Sequence, residues 1–213
     1  MAIKAFNSSG SSNSTLIVQA MDFAINNGAE IINMSLAMSS YDSALAAKVE
    51  EAEAANVLIV AAADNTTPGK NIDANGKIYP CAYTGSNVLC VTALDQAYVL
   101  ATFANYGATS VDVGGPGTNI YSTYFSGNDK YRVMNGTSMA TPHVTGLAAL
   151  IMSYHRNTAG DFAMTGIHAR DAIMRGGVAV SALSSKTSTG KAIDGVGALS
   201  QISTPYGVTG TVQ

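Results

Sequence analysis

The sequence predicts a doubly wound α/β fold, a mostly parallel sheet with helices on both faces. Short apolar runs alternate with amphipathic helical segments over residues 3–63, in the order strand, helix, strand, helix, strand. Val57–Ala63 is apolar at every position, which is typical of a strand buried on both faces of a parallel sheet. A length of 213 residues, with 47% hydrophobic and 12% charged residues, suits one globular domain.

The first elements follow from local patterns. Ile3–Phe6 is predicted to be a short buried strand, and the polar run 8–14 offers an N-cap for the helix after it. That helix ends at Gly28, and its apolar spacing of 3.6 residues per turn predicts one buried face. The face consists of Ile17, Met21, Ala24 and Ile25.

Later elements are predicted in the same way. Residues 30–35 form a strand, and Ser39 and Ser40 open a second amphipathic helix over about 41–55. Further short strands are predicted at Val88–Ala93, Val99–Phe103, Val111–Val113, Thr118–Tyr124 and Tyr131–Met134. A long helix is predicted from about Ser138 to His155, and another over Thr165–Arg175.

Polar segments are predicted at one edge of the sheet. Ser35–Ala37 follows one strand, Asp64–Thr66 follows another, and a third loop leads to Ser138. In sheets of this class, ligands bind at the carboxyl ends of the strands. The three segments therefore predict a site at that edge.

Ser138 begins the most informative stretch, residues 135–150. Small and polar residues run directly into a helical apolar pattern that starts at Val144, and Pro142 can lie only near the start of such a helix, where its missing N–H would be unpaired anyway. A hydroxyl at a helix N-terminus is often a simple N-cap. It is alternatively a nucleophile whose developing charge is stabilised by the helix dipole and the free N–H groups.

The string Gly-Thr-Ser-Met-Ala-Thr-Pro-His-Val-Thr-Gly, residues 136–146, resembles the nucleophile motif of subtilisin-like serine peptidases. The resemblance extends over nearly all of the chain. Further segments that match the family in order and spacing are 31–36, 60–65, 79–80, 103–107 and 116–117. The resemblance implies a subtilisin-like fold and peptide-bond cleavage through an acyl-enzyme. An α/β-hydrolase is rejected, because Gly-x-Ser-x-Gly is incomplete around Ser138.

The resemblance assigns roles to individual residues. Ser138 would be the nucleophile, and the side-chain amide of Asn65 would hold the oxyanion together with the backbone N–H of Ser138. Substrate would be bound by extended walls and a pocket formed by Ser35, Leu36, Ala37, Gly10, Ser11, Ala63 and Asp64. Glycine is usual in the family where Ala37 and Asp64 stand, and bulkier residues are usual at Gly114–Gly115.

The family's triad also needs an aspartate and a His-Gly-Thr motif before the serine, and this chain has neither. Its histidines, His143, His155 and His168, all follow Ser138. We therefore expect residues 1–213 to be one truncated domain that lacks N-terminal strands and is inactive alone, its Asp and His supplied by upstream sequence. The strands Ile3–Phe6 and 31–35 would then be unsupported unless another chain covers them. The alternative is a non-catalytic pseudoprotease that binds peptides.

Composition limits the partners and the compartment. A net charge of −3 argues against nucleic acid, and no apolar run reaches the roughly 18–20 residues that span a bilayer. The first residues lack the apolar stretch of a signal peptide. Cys81 and Cys90 are spaced closely enough to bridge across a turn, which would fit an oxidising, extracellular or secretory compartment; the alternative is two buried free thiols. The resemblance implies no required cofactor, with calcium as an optional structural ion.

Overall fold

The computed structural model describes residues 1–124, 130–158 and 164–202, which contain five α-helices and eight β-strands. The helices are α1 (Ser14–Asn26), α2 (Ser43–Ala54), α3 (Thr137–Thr158), α4 (Gly166–Gly176) and α5 (Gly195–Ser200). The strands are β1 (Ile31–Met34), β2 (Leu58–Ala62), β3 (Val88–Leu94), β4 (Val113–Pro116), β5 (Ile120–Thr123), β6 (Tyr131–Met134), β7 (Val178–Ala179) and β8 (Lys191–Ala192).

Six of the strands form one sheet, in the order β1-β2-β3-β4-β8-β7. Every neighbouring pair is parallel except β7 and β8. Strands β5 and β6 form a separate antiparallel pair. The predicted mostly parallel sheet is therefore confirmed, and β1 lies at one edge of it.

Helices cover both faces of the sheet because successive residues of a strand point to opposite sides. Leu58 and Val60 of β2 pack in a cluster with Val144 and Ile151 of α3. The same cluster includes residues of α4. Ile59 packs on the other face, in a cluster with residues of α1 and α2: Ile17, Met21, Leu45 and Val49. This two-sided burial explains why β2 is buried at every position.

Two predicted strands are wrong. No strand forms at Ile3–Phe6, where the Ala5 carbonyl accepts a hydrogen bond from the Ser12 hydroxyl rather than from a neighbouring strand. Val99–Phe103 contributes only an isolated bridge between Leu94 and Leu100. A tight turn precedes the Val99–Phe103 segment, because the Asp95 carboxylate accepts hydrogen bonds from the backbone N–H groups of Ala97 and Val99.

Helix starts depend on the capping side chains. Helix α1 is capped by Asn13, as the polar run predicted, and Gly28 follows its end with φ +76°. Helix α2 starts later than predicted, because the Asp42 side chain rather than Ser39 or Ser40 accepts from its first-turn N–H groups. An aspartate N-cap also places negative charge at the positive end of the helix dipole.

Cys81 and Cys90 form a disulfide with a Cα–Cα distance of 5.1 Å, so the predicted proximity is confirmed. Both are buried, and Cys90 lies within β3. The bridge ties the segment that follows Ile78 to the middle of the sheet.

The glycine pair in β4 has a packing reason. A Cβ at Gly114 would lie 2.7 Å from Leu94 Cδ1 and 2.8 Å from Leu183 Cδ1. Both leucines are almost fully buried. They occupy the space in which a larger residue at this position would place its side chain.

Candidate active site

Ser138 lies in the first turn of α3, half-buried, beside the end of β1. Two hydrogen bonds fix it there. The Ser35 hydroxyl donates to the Ser138 carbonyl at 2.9 Å, and the Ser138 hydroxyl donates to the Ser35 carbonyl at 3.3 Å. The structure therefore brings together two residues that lie 103 positions apart in the sequence.

Asn65 lies beside the same helix start. Its Oδ1 accepts from the Thr137 N–H at 3.0 Å, so its Nδ2 faces away from that bond. Nδ2 and the Ser138 N–H have no hydrogen-bond acceptor among the described residues, and Asn65 is exposed. Two free donors at the N-terminus of a helix can stabilise a negatively charged oxygen.

The predicted pocket residues follow β1 and β2. Leu36 packs on the α1–α2 cluster, Ala37 is exposed, and Ala63 is buried. Asp64 has φ +70°, the left-handed region that glycine adopts without strain, and its carbonyl accepts from the Asn105 N–H at 3.2 Å. Their assignment to substrate binding stays a prediction.

Gly10 and Ser11 lie in an exposed turn that starts at Asn7. The Asn7 side chain accepts from the Ser9 and Ser11 N–H groups, and Gly10 has φ +72°. No hydrogen bond joins this turn to Ser138 in the described part of the chain. A substrate wall at Gly10 and Ser11 stays a prediction.

Within the part of the chain that the structure describes, no histidine is hydrogen-bonded to the Ser138 hydroxyl, which donates to the Ser35 carbonyl instead. The His143 ring is exposed and contacts the Met139 carbonyl at 2.8 Å, and the His168 ring takes part in the capping box of α4 with Thr165. His155 is 17 residues further along α3, about 25 Å from Ser138 at 1.5 Å per residue.

Residues 1–124, 130–158 and 164–202 contain neither a cluster of metal-ligating side chains nor a membrane-spanning helix. No group of three or more His, Cys, Asp or Glu side chains converges there to hold a metal ion, so we assign no metal ligand. The helices in these ranges are too short or too polar to cross a membrane. A structural calcium ion stays a prediction.

Two contributors to the site were missed by sequence reasoning. Asn33 donates to the Ser35 hydroxyl at 3.0 Å, and Thr145 donates to Asn33 at 2.9 Å. Each shares a face with a predicted site residue, since Asn33 and Ser35 are two apart on an extended chain and Ser138 and Thr145 are seven apart on a helix. The sequence alone shows that these residues share a face of their element. It does not show that the face of α3 packs against the end of β1.

Comparison with known proteins gives a consistent result. The model of the Subtilase family matches residues 1–192. The chain is 43% identical over 152 residues to Subtilisin DY of Bacillus licheniformis, covering 71% of this chain and 53% of that protein. It is also 43% identical over 152 residues to a thermostable alkaline protease of Halalkalibacterium halodurans, covering 71% of this chain and 39% of that one. The chain thus spans about half or less of these relatives.

The fold is similar to solved structures as well. The prenylagaramide maturation protease PagA superposes with a TM-score of 0.78 at 23% identity, covering 92% of this chain and 70% of that one. A lanthipeptide protease superposes with a TM-score of 0.81 at 22% identity, covering 93% and 69% respectively. At these identities the superpositions show the fold alone.

Proposed function

Because the chain belongs to the subtilase family, we propose that it is the part of a serine endopeptidase that carries the nucleophile and the oxyanion hole. The Ser138 hydroxyl would attack the carbonyl carbon of a peptide bond, forming an acyl-enzyme and releasing the amine half of the substrate. Water would then attack the ester carbonyl and restore the Ser138 hydroxyl.

One observation carries this proposal. The Ser138 N–H and Asn65 Nδ2 are both free of acceptors among the described residues at the start of α3, and the bond from Thr137 N–H to Asn65 Oδ1 orients the amide. In the tetrahedral intermediate the substrate oxygen becomes negative, and preorganised donors stabilise it more than the neutral carbonyl. The loss of one such donor costs about 10²–10³ in turnover, a figure taken from this enzyme class.

The attack also needs a base for the Ser138 proton. That proton is directed at the Ser35 carbonyl, which is not a base, and the histidines lie elsewhere. We therefore assign the triad His and Asp to sequence outside these 213 residues, and expect the chain alone to be inactive. The apolar groove of about 600 Å³ beside β1, lined in part by Ile3, Phe6, Ile17 and Met21, is where we place the segment that carries them.

A second candidate function is peptide binding without cleavage. Asp64 favours it, because a carboxylate one residue before Asn65 would oppose the negative charge of an oxyanion. The backbone N–H and C=O of Ala37 make no hydrogen bond within the described residues, so an extended peptide could pair there in either case. For both functions the ligand is a peptide or protein, and the Cys81–Cys90 bridge supports an extracellular or secretory location.

The experiment is phosphonylation by a fluorophosphonate, followed by mass spectrometry, with Ser138→Ala as the control. The 213-residue chain should show no burst, and stoichiometric labelling at a protease-like rate would contradict the missing base. The transcript upstream of Met1 should encode Asp-Gly or Asp-Thr-Gly and then His-Gly-Thr, and the longer protein should label rapidly. A transcript without those motifs, with peptide binding retained, would favour the second function.

A further inference from the structure

A directional chain of hydrogen bonds runs from the middle of α3 to Ser138. The Thr145 hydroxyl donates to Asn33 Oδ1 at 2.9 Å, and Asn33 Nδ2 donates to the Ser35 hydroxyl at 3.0 Å. The Ser35 hydroxyl then donates to the Ser138 carbonyl at 2.9 Å. This series of hydrogen bonds leaves α3 at Thr145, crosses the end of β1 and returns to α3 at Ser138, seven residues nearer the helix N-terminus.

The secondary structure places these four side chains on facing surfaces. Ser138 and Thr145 are seven residues apart, so at 100° per residue they lie about 20° apart around the helix. Asn33 and Ser35 are two apart and face the same side of the extended chain. The two pairs therefore meet where α3 packs on β1.

The directions follow from the orientation of the Asn33 carboxamide, which faces Thr145 with Oδ1; the single Thr145 proton is shared between Asn33 Oδ1 and the Thr141 carbonyl at 3.1 Å. Asn33 Oδ1 can only accept, and Nδ2 can only donate. Since Thr145 donates to Oδ1, Nδ2 must face Ser35, and the Ser35 oxygen accepts this bond. The single Ser35 proton is then free to bind the Ser138 carbonyl.

Loss of the Thr145 proton would remove the hydrogen bond that holds Asn33 Oδ1 toward α3. The Asn33 carboxamide could then rotate by 180° and present Oδ1 to Ser35, which would draw the Ser35 proton away from Ser138. The first turn of α3 would lose a bond to β1, and the Ser138 hydroxyl would be held less closely at the Ser35 carbonyl. Asn33 is exposed and Thr145 half-buried, so water competes for these groups and moderates the effect.

We propose that Thr145 and Asn33 are positioning residues that set the orientation of the Ser138 hydroxyl through Ser35. The expected effect on reactivity rests on the proposed function, in which Ser138 is the nucleophile. The expected effect on the hydrogen bonds of Ser138 does not depend on that function. Neither residue contacts the peptide that Ser138 would attack. Their effect is transmitted by the polarity of the Asn33 carboxamide.

The test uses three variants of the full chain: Thr145→Val, which keeps the shape without the proton; Thr145→Ser, which keeps the proton; and Asn33→Asp, which removes the donor to Ser35. NMR reports the Asn33 side-chain amide and the ¹³C shift of the Ser138 carbonyl. Thr145→Val should move both signals and Asn33→Asp the carbonyl, while Thr145→Ser leaves both near their wild-type positions. Thermal unfolding of all three should stay within about 2 °C of wild type.

The chemical readout is the second-order rate constant for the slow, burst-free phosphonylation of Ser138 that remains without a base, followed over days by mass spectrometry. Thr145→Val and Asn33→Asp should lower it three- to tenfold, with Thr145→Ser within twofold of wild type. An unmoved Ser138 carbonyl signal in Thr145→Val, or equal shifts in Thr145→Val and Thr145→Ser, would overturn the positioning role. If no variant, wild type included, is ever modified at Ser138, the nucleophile assignment fails, while the NMR comparison still decides the positioning role.

Discussion

Gly114→Ala should destabilise the protein, although alanine is normally the more favourable residue in a regular element. The new methyl group would lie 2.7 Å from Leu94 Cδ1 and 2.8 Å from Leu183 Cδ1. Carbon atoms in contact prefer about 3.5–4.0 Å, so each pair overlaps by roughly 1 Å. The leucines are 3% and 0% exposed and packed on all sides, so they cannot move aside without displacing their own neighbours.

The matched control is Gly146→Ala in α3. Gly146 is exposed in the helix interior, and a Cβ there meets nothing within 4 Å. Both substitutions reduce the conformational freedom of the unfolded chain equally, so their difference isolates packing. Overpacking of this kind costs about 1–3 kcal/mol, and glycine to alanine in a helix gains about 0.5–1 kcal/mol. The two variants should therefore differ by the packing cost, about 1–3 kcal/mol in the free energy of unfolding.

Urea or guanidinium unfolding, followed by circular dichroism, measures both values. Gly114→Ala should lower the midpoint and Gly146→Ala raise it, with unchanged slopes. Leu183→Val removes one of the clashing atoms, so the Gly114→Ala/Leu183→Val double variant should be more stable than the sum of the single effects by at least about 0.5 kcal/mol. If Gly114→Ala is as stabilising as Gly146→Ala, the packing argument for the β4 glycines is refuted.

Three further predictions concern other parts of the molecule. Replacing Cys81 and Cys90 together with alanine should lower the free energy of unfolding by about 2.5–3 kcal/mol, as expected for a short closed loop, and a loss below about 1 kcal/mol in denaturant unfolding would contradict this. Asp64→Gly should stabilise the chain by about 1 kcal/mol, because φ is +70°, whereas Asp64→Ala should not; equal melting temperatures for the two would show that no strain is present. The pKa of Asp73 is lowered: burial raises it, but hydrogen bonds from Ser110 and Thr109 outweigh that effect. Its stabilisation is therefore present above the unfolded pKa of about 3.9 and is lost as pH falls through the lower folded pKa. Asp73→Asn should cost up to about 1 kcal/mol at pH 7, since the group is exposed, and nothing near pH 2; a cost independent of pH in denaturant titrations would disprove the assignment.

Local sequence patterns determined most of the element order. The continuous apolar run at Val57–Ala63 identified the central strand β2, because a strand covered on both faces needs apolar residues at every position. The apolar face of α1 and the start of α3 near Ser138 followed from helical periodicity, whereas Pro142, expected where its missing N–H would be unpaired, lies inside α3 as its sixth residue. The approach of Ser35 and Asn65 to Ser138 followed from the rule that strand ends meet at one edge.

Tertiary structure alone decided the rest. Ile3–Phe6 is apolar enough for a strand, but a strand exists only where a neighbour supplies hydrogen bonds, and local sequence does not specify the neighbour. The same holds for the space at Gly114, which is defined by Leu183, a residue 69 positions away. The chain from Thr145 to Ser138 depends on the packing of α3 against β1. Local patterns fix which side of an element each residue faces, whereas packing fixes what that side meets.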